Sequence, residues 1–200
     1  MELSEKFTKI FTDNSWGSKE SVSGSGSQLN STLTLRRELP FLLLKYDIHS
    51  MLDIPCGDFN WMKEVDLKDI KYIGADIVPD IITTNKQKYP DKDFRVLDLT
   101  TDELPSVDLV FVRDCLGHLS NSNIYKALQN IKKSKSRYLL VTSFTLPRVS
   151  ANIPDGSWQP INLMLSPYLL RPIYLINEDC REGYPRYNDK CMILIDLTKL

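Results

Sequence analysis

From residue 48 onward, short apolar runs alternate with segments that have helical character. The apolar runs are residues 48–54, 71–76, 94–97, 107–112 and 138–142. Strands that are apolar along their whole length and separated by helices are typical of parallel sheets covered on both faces. The pattern therefore predicts an α/β fold with a mostly parallel sheet and helices on both faces.

The end of the chain departs from this alternation. Residues 172–176 and 191–197 resemble strands, but the polar segment 177–190 between them lacks a helical pattern. A parallel crossover needs a dozen or more residues built around a helix, so these two strands should pair antiparallel. We expect a seven-stranded sheet, mostly parallel, that ends in an antiparallel hairpin.

Helices are predicted over residues 58–65 and 79–89, and a third carries Ile124, Leu128 and Ile131 on one face. Near the N-terminus, Leu33 and its apolar neighbours indicate a further helix, which Pro40 should kink or restart because proline has no N–H to donate.

The chain length of 200 residues suits one domain with a single core. Within it we distinguish four parts by pattern. They are an N-terminal helical cap (1–46), a ligand-binding core (47–143), a Pro-rich substrate loop (144–171) and the terminal hairpin (172–200).

Composition narrows the functional classes. The formal charge is −1 and no long Lys/Arg cluster occurs, which argues against a nucleic-acid partner. The four cysteines form no CxxC pair, so we interpret them as reduced thiols. No apolar stretch is long enough to cross a bilayer and the N-terminus lacks an apolar signal core, so a cytoplasmic protein is expected.

The turn after the first strand, Asp53–Phe59, carries the strongest functional signal. A strand, tight turn and helix place backbone N–H groups around a ligand at the carboxyl edge of a sheet, and a glycine such as Gly57 allows close approach. The candidate ligand-binding residues of this turn are Asp53, Pro55, Cys56, Gly57 and Asp58.

Two further acids follow the next two strands. Asp76 is placed to accept hydrogen bonds from the hydroxyls of a ribose, and Asp98 to accept one from the amino group of an adenine. Their neighbours Ile77 and Leu99 are included in the predicted pocket. Acids at the ends of three successive strands indicate a nucleotide-like ligand, either a dinucleotide or S-adenosylmethionine (SAM).

The turn argues against a dinucleotide because it is not GxGxxG: Pro55 and Phe59 replace glycines. It resembles instead the first motif of class I SAM-dependent methyltransferases, in which an acid, a turn of the Gly-Cys-Gly type and a helix follow one another. The resemblance covers about residues 48–143 and the hairpin. It implies a Rossmann-like methyltransferase with SAM as cofactor. Trp61 and Arg113 are further candidate cofactor-binding residues, although Trp61 could instead pack in the core and Arg113 could be only a charge at the strand end.

A narrower resemblance rests on the strings at 23–27, 52–62 and 113–120. They are similar to a subgroup of bacteria and large DNA viruses whose members occur beside or fused to glycosyltransferases. This similarity implies that the acceptor is a sugar hydroxyl of a glycan or polysaccharide, with rhamnose-type sugars as the best candidates, and that a glycosyltransferase is a partner.

Two candidate catalytic residues follow the fourth strand. His118 has a suitable ordinary pKa to remove a proton from a sugar hydroxyl. Asp114 could be that base, orient His118, or bind a divalent cation that acidifies the hydroxyl. The structural alternative for His118 is a helix cap or a packing contact near the adenine.

Candidate acceptor-binding residues lie in the Pro-rich loop. Trp158 offers an aromatic face for sugar C–H bonds, Asn162 an amide for hydroxyls, and Arg148 a cation, although each could instead be a packing or surface residue. Other functions remain open at this level. They are methylation of a small metabolite or protein side chain, a non-catalytic SAM-binding partner module, and an NAD-dependent oxidoreductase.

Overall fold

The computed structural model describes residues 2–148 and 151–199, and its centre is a seven-stranded sheet. The strands are β1 (Ser50–Asp53), β2 (Lys71–Asp76), β3 (Asp93–Val96), β4 (Leu109–Val112), β5 (Tyr138–Phe144), β6 (Tyr174–Asn177) and β7 (Lys190–Asp196). Their order is β3-β2-β1-β4-β5-β7-β6. β1 to β5 are parallel, and β7 pairs antiparallel with both β5 and β6. The predicted parallel sheet with an antiparallel terminal hairpin is confirmed.

Successive side chains of the central strands enter two different cores. In β1, Met51 belongs to one apolar cluster and Leu52 to the other, and both side chains are fully buried. This two-residue period follows from the pleat of a strand. It explains why buried parallel strands are apolar at every position.

The described residues form four α-helices around the sheet: α1 (Leu3–Thr12), α2 (Leu33–Lys45), α3 (Pro79–Lys88) and α4 (Asn121–Lys133). α2 and α3 contribute leucines and Ile82 to one core, while α4 contributes Ile124, Ala127 and Ile131 to the other. Helices therefore cover both faces, as predicted.

The helix predicted over 58–65 is wrong. The chain forms turns there, and only Met62–Glu64 is helical, as a short 3-10 segment. Gly57 and Phe59 both have left-handed backbones, with φ of +53° and +58°, which a right-handed helix does not allow. The Phe59 ring packs against Tyr72, Tyr89 and Phe94 at centroid distances of 5.1–5.4 Å, and this packing fixes the turn.

Near the N-terminus the structure differs from the prediction in two ways. α2 continues through Pro40 without a break, because its buried face, which includes Leu39 and Leu42, holds both halves against the sheet. α1 was not predicted at all. Its apolar side chains line a cavity, where Leu3 and Phe7 also pack against the edge of one core, and none of its residues is buried.

The described part of the Pro-rich loop, up to Arg148 and from Ala151, contains turns but no helix or strand before β6. The proposed division of the chain into four parts stays a prediction. None of the helices in residues 2–148 and 151–199 combines the length and apolar character that a bilayer crossing requires.

Candidate functional site

A cavity of about 340 Å³ opens at the carboxyl ends of the parallel strands. One half, the cofactor half, is bounded by the turn after β1 and by the residues that follow β2 and β3. The other half, here called the acceptor half, lies beyond β4 and β5. Its polar and aromatic lining includes Asp114, His118, Trp158, Glu182, Tyr187 and Lys190. α1 and Trp16 cover the cavity.

In the cofactor half, the turn uses its own N–H groups within the protein. The N–H of Cys56 donates to the Ala75 carbonyl (2.7 Å) and that of Gly57 to Asp76 (3.2 Å), while Pro55 has none. Asp53 is buried and accepts the Tyr72 hydroxyl at 2.7 Å, and burial raises its pKa to about 7. The turn therefore shapes the cavity floor and does not offer the row of free N–H donors expected of a glycine-rich loop.

The polar segment 21–27 lies over this turn. Asp58 accepts the Ser21 hydroxyl (2.9 Å) and the Val22 N–H (3.0 Å), so it anchors the segment and does not line the cavity. A Cβ on Gly57 would lie 2.0 Å from the Ser23 hydroxyl oxygen. Ser23 to Ser27 line the cavity, with Ser23 over the turn and with Ser25 and Gly26 beside Glu182 and Asp114.

We expect Gly57→Ala to destabilise the protein by about 2–4 kcal/mol, since alanine is strained at positive φ and its methyl group would collide with Ser23. Gly17→Ala is the matched control. It also has positive φ (+65°), but nothing lies within 4 Å of its Cβ position, so only the backbone cost applies. Chemical denaturation measures both. Equal losses would contradict the close contact with Ser23.

The acid that ends β2 and the acid that follows β3 both line the cofactor half. Asp76 is buried and accepts the N–H groups of Gly57 and Val78, while Asp98 accepts the N–H and hydroxyl of Thr100 at 2.7 and 2.6 Å. Burial raises the pKa of Asp76 to about 6. Ile77 and Leu99 line the cavity beside them, so these four predicted positions are brought together.

The raised pKa of Asp76 predicts a pH dependence of cofactor binding. Only the carboxylate accepts hydrogen bonds from two ribose hydroxyls, so affinity for S-adenosylhomocysteine should fall about tenfold as pH drops from 7 to 5. Calorimetry at several pH values measures this. The fall in affinity below pH 6.5 should disappear in Asp76→Asn. It should persist in Asp53→Asn, because the Asp53 carboxyl that this change removes has a higher pKa, of about 7. A flat profile in the unaltered protein would contradict the assignment.

Arg113 connects three parts of the chain. Its guanidinium donates to the Glu178 carboxylate at 2.6 and 2.9 Å and to the Gly26 carbonyl at 2.9 Å, and it lies 5.5 Å from the centre of the Trp61 ring. Both Arg113 and Trp61 line the cavity, yet their contacts are mainly structural. Arg113 holds the polar segment 21–27 against the ends of β4 and β6.

Asp114 forms ion pairs with Lys190 at 2.6 Å and with Arg113 at 3.2 Å. Burial alone would raise its pKa, but the charges of Lys190 and Arg113 outweigh burial and hold the pKa at about 2. Such a carboxylate is a poor base. Lys190 also occupies the position beside the Asp114 oxygen that a divalent cation would need, and the described residues contain no group of three or more metal-binding side chains.

His118 is oriented by one hydrogen bond. Its Nδ1 lies 2.9 Å from the Ser157 carbonyl oxygen, which can only accept, so Nδ1 carries the proton and Nε2 keeps its lone pair. The ring also contacts Trp16 at 5.2 Å between centroids. Burial lowers the pKa of His118, so the neutral base predominates at pH 7. His118 therefore stays a candidate general base, with Nε2 as the atom that could accept a proton.

The three predicted acceptor-binding residues are not brought together. Trp158 lines the cavity and packs edge-to-face on Tyr187 at 4.9 Å. Asn162 is buried and bonded to backbone groups of the loop, and Arg148 pairs with Asp189 outside the cavity. All three roles in acceptor binding stay a prediction, and the placement of Asn162 and Arg148 outside the cavity does not support theirs.

Sequence reasoning missed several lining residues. Glu182, Tyr187 and Lys190 belong to the hairpin loop and the start of β7, which only the antiparallel return brings to the cavity. For α1, the spacing of Leu3, Phe7 and Phe11 is a signal that could have been found, because four-residue intervals place them on one helical face.

The part of the chain that contains these motifs is similar to a known protein family. Residues 52–135 match the model of a family described as a methyltransferase domain. No curated protein sequence is significantly similar to the chain.

Solved structures share the fold at low identity. Magnesium protoporphyrin IX methyltransferase from Synechocystis PCC 6803 with bound SAM is 12% identical, with coverage of 98% of this chain and 97% of that one and a TM-score of 0.62. A SAM-dependent methyltransferase from Clostridium acetobutylicum is 8% identical, with coverage of 82% and 91% and a TM-score of 0.61. Human N-acetylserotonin methyltransferase in complex with SAM is 16% identical, with coverage of 94% and 65% and a TM-score of 0.57.

The matched segment contains the turn at Gly57, both acids of the cofactor half and His118, and it lies on a fold shared with SAM-bound enzymes. Residues 52–135 are therefore similar to a methyltransferase domain, and the chain shares its fold with solved SAM-bound methyltransferases.

Proposed function

We propose that the protein transfers a methyl group from SAM to a sugar hydroxyl of a glycan or polysaccharide, with rhamnose-type sugars as the first acceptors to test. The observation that carries this proposal is the oriented His118 in a cavity half that also presents the aromatic side chains of Trp158 and Tyr187. Aromatic faces cover the C–H bonds of a sugar, while a neutral histidine can accept a proton from a hydroxyl.

The residues of the cofactor half fit SAM. Asp76 supplies a buried carboxylate for the ribose, Asp98 an acceptor for the adenine, and Ile77 and Leu99 apolar surface beside it. When bound, SAM supplies an electrophilic methyl group on a positively charged sulfur.

In the acceptor half, His118 Nε2 takes the proton of the attacking hydroxyl, while the Ser157 carbonyl keeps the ring in the required tautomer. Asp114 lies near enough to stabilise the positive charge that develops on His118. Lys190 in turn fixes the Asp114 carboxylate, so Asp114 acts on His118 through its charge and not as the base.

The acceptor class is tested by incubating the protein with SAM and a panel of rhamnosides, other glycosides and bacterial polysaccharides. Mass spectrometry should show the gain of one methyl group per transfer on a rhamnose-containing acceptor. Methylation of only small phenols or protein side chains would replace the sugar with another acceptor class, and no methylation of any acceptor would favour a non-catalytic SAM-binding module.

A glycosyltransferase is the partner that this function implies. Co-purification with a glycosyltransferase encoded in the same genome is the corresponding test. We expect a complex in which the newly added sugar reaches the acceptor half.

A further inference from the structure

The acceptor half contains an excess of negative charge. Two cations, Arg113 and Lys190, line or adjoin it, against the three carboxylates of Asp114, Glu178 and Glu182. His118 is neutral at pH 7 because burial lowers its pKa. The net charge of these groups is therefore −1.

Both cations are already paired. Arg113 and Lys190 have side chains only 4% and 7% exposed, and each contacts a carboxylate oxygen at 2.6 Å. Lys190 also lies 3.9 Å from Glu178. An anionic group of an acceptor would have to compete for these cations with Asp114 or with Glu178, whose side chain is only 1% exposed and would be left buried without its partner.

Glu182 forms no ion pair in the part of the chain that the structure describes. Its carboxylate accepts a hydrogen bond from the Ser25 hydroxyl, and the charge of Arg113 acts on it only at longer range. It lines the cavity near Gly26 and Asp114. A carboxylate in this position attracts hydroxyl donors and repels anions.

We propose that the acceptor is an uncharged sugar unit and that Glu182 is the residue that excludes anionic acceptors. This inference rests on the proposed function. Sugars that carry a carboxylate or a nucleoside diphosphate are excluded by the same charge. The methylation therefore follows glycosyl transfer: the reaction that supplies its substrate must already have replaced the diphosphate with a glycosidic bond.

The test compares methyl rhamnoside with nucleoside-diphosphate-rhamnose, which presents the same sugar with added negative charge. We expect kcat/KM for the neutral glycoside to be at least about tenfold higher, since like charges at close range cost at least this factor. Glu182→Gln should narrow that ratio several-fold, while Glu182→Asp should retain it. Glu103→Gln, the same change at an exposed site outside the cavity, is the matched control and should also retain it.

Binding of S-adenosylhomocysteine separates this role from a cofactor contact. Its affinity should stay within about twofold of the unaltered protein in Glu182→Gln, and a larger loss would place Glu182 in the cofactor site and overturn the inference. Equal or faster methylation of the diphosphate sugar would also overturn it.

A pair of phenols, 4-hydroxybenzyl alcohol and 4-hydroxybenzoate, distinguishes failure of the two proposals. If phenols but no sugars are methylated, the sugar assignment fails. Faster methylation of the neutral phenol would then still support the exclusion of anions by Glu182. Faster methylation of the anionic phenol would overturn that exclusion. If no acceptor is methylated and none binds to the protein loaded with S-adenosylhomocysteine, both proposals fail.

Discussion

His118→Ala is expected to lower kcat about 10²–10⁴-fold, because the base that accepts the hydroxyl proton would be lost. Affinity for S-adenosylhomocysteine should change little, since the ring belongs to the acceptor half. Single-turnover kinetics with saturating SAM would separate the chemical step from binding. The kcat–pH profile should also lose its lower limb, which reflects protonation of His118.

His49→Ala is the matched control for this variant. His49 is the other histidine of the chain, and its side chain is 70% exposed at a site outside the cavity. It should therefore leave kcat unchanged. A similar small effect for both variants would show that the acceptor hydroxyl loses its proton to another group or to water.

Arg113→Met is expected to destabilise the protein by about 3–5 kcal/mol, because it leaves the Glu178 carboxylate buried without its main cation. For a chain of this length that corresponds to a fall of about 10 °C in Tm. The Gly26 carbonyl would lose its donor as well, so the polar segment 21–27 should become more mobile and cofactor affinity should fall.

Two further variants separate the loss of a buried ion pair from the loss of an exposed one. Arg95→Met removes an ion pair of the same 2.6 Å length, but both partners are 43% exposed, so the loss should stay below about 1 kcal/mol. Adding Glu178→Gln to Arg113→Met should recover part of the stability, because the buried charge is then removed. A loss below 1 kcal/mol for Arg113→Met itself would show that solvent reaches this pair.

The fold was predictable from sequence because its signals are local. Apolar runs such as 107–112 and 138–142 give buried strands whatever the detail of their surroundings, and the missing helix between the last two strands requires an antiparallel return. The acids Asp53, Asp76 and Asp98 were located for the same reason: the carboxyl ends of parallel strands meet at one edge.

The local signals failed where tertiary packing controls the backbone. Residues 58–65 have a helical pattern, but the aromatic cluster around Phe59 imposes a left-handed turn instead. The apolar face of α1 is short and only partly buried, because it lines a cavity and meets only the edge of one core.

Local sequence patterns were enough to predict the sheet, the cofactor edge and the position of His118 after β4. The chemistry of the acceptor half depends on contacts between distant segments. Lys190, more than seventy residues beyond Asp114, pairs with it and makes it a poor base, and Ser157 selects the tautomer of His118. The physical reason is that strand and turn patterns depend on neighbouring residues, whereas a pKa depends on the charges and burial that distant segments bring to a site.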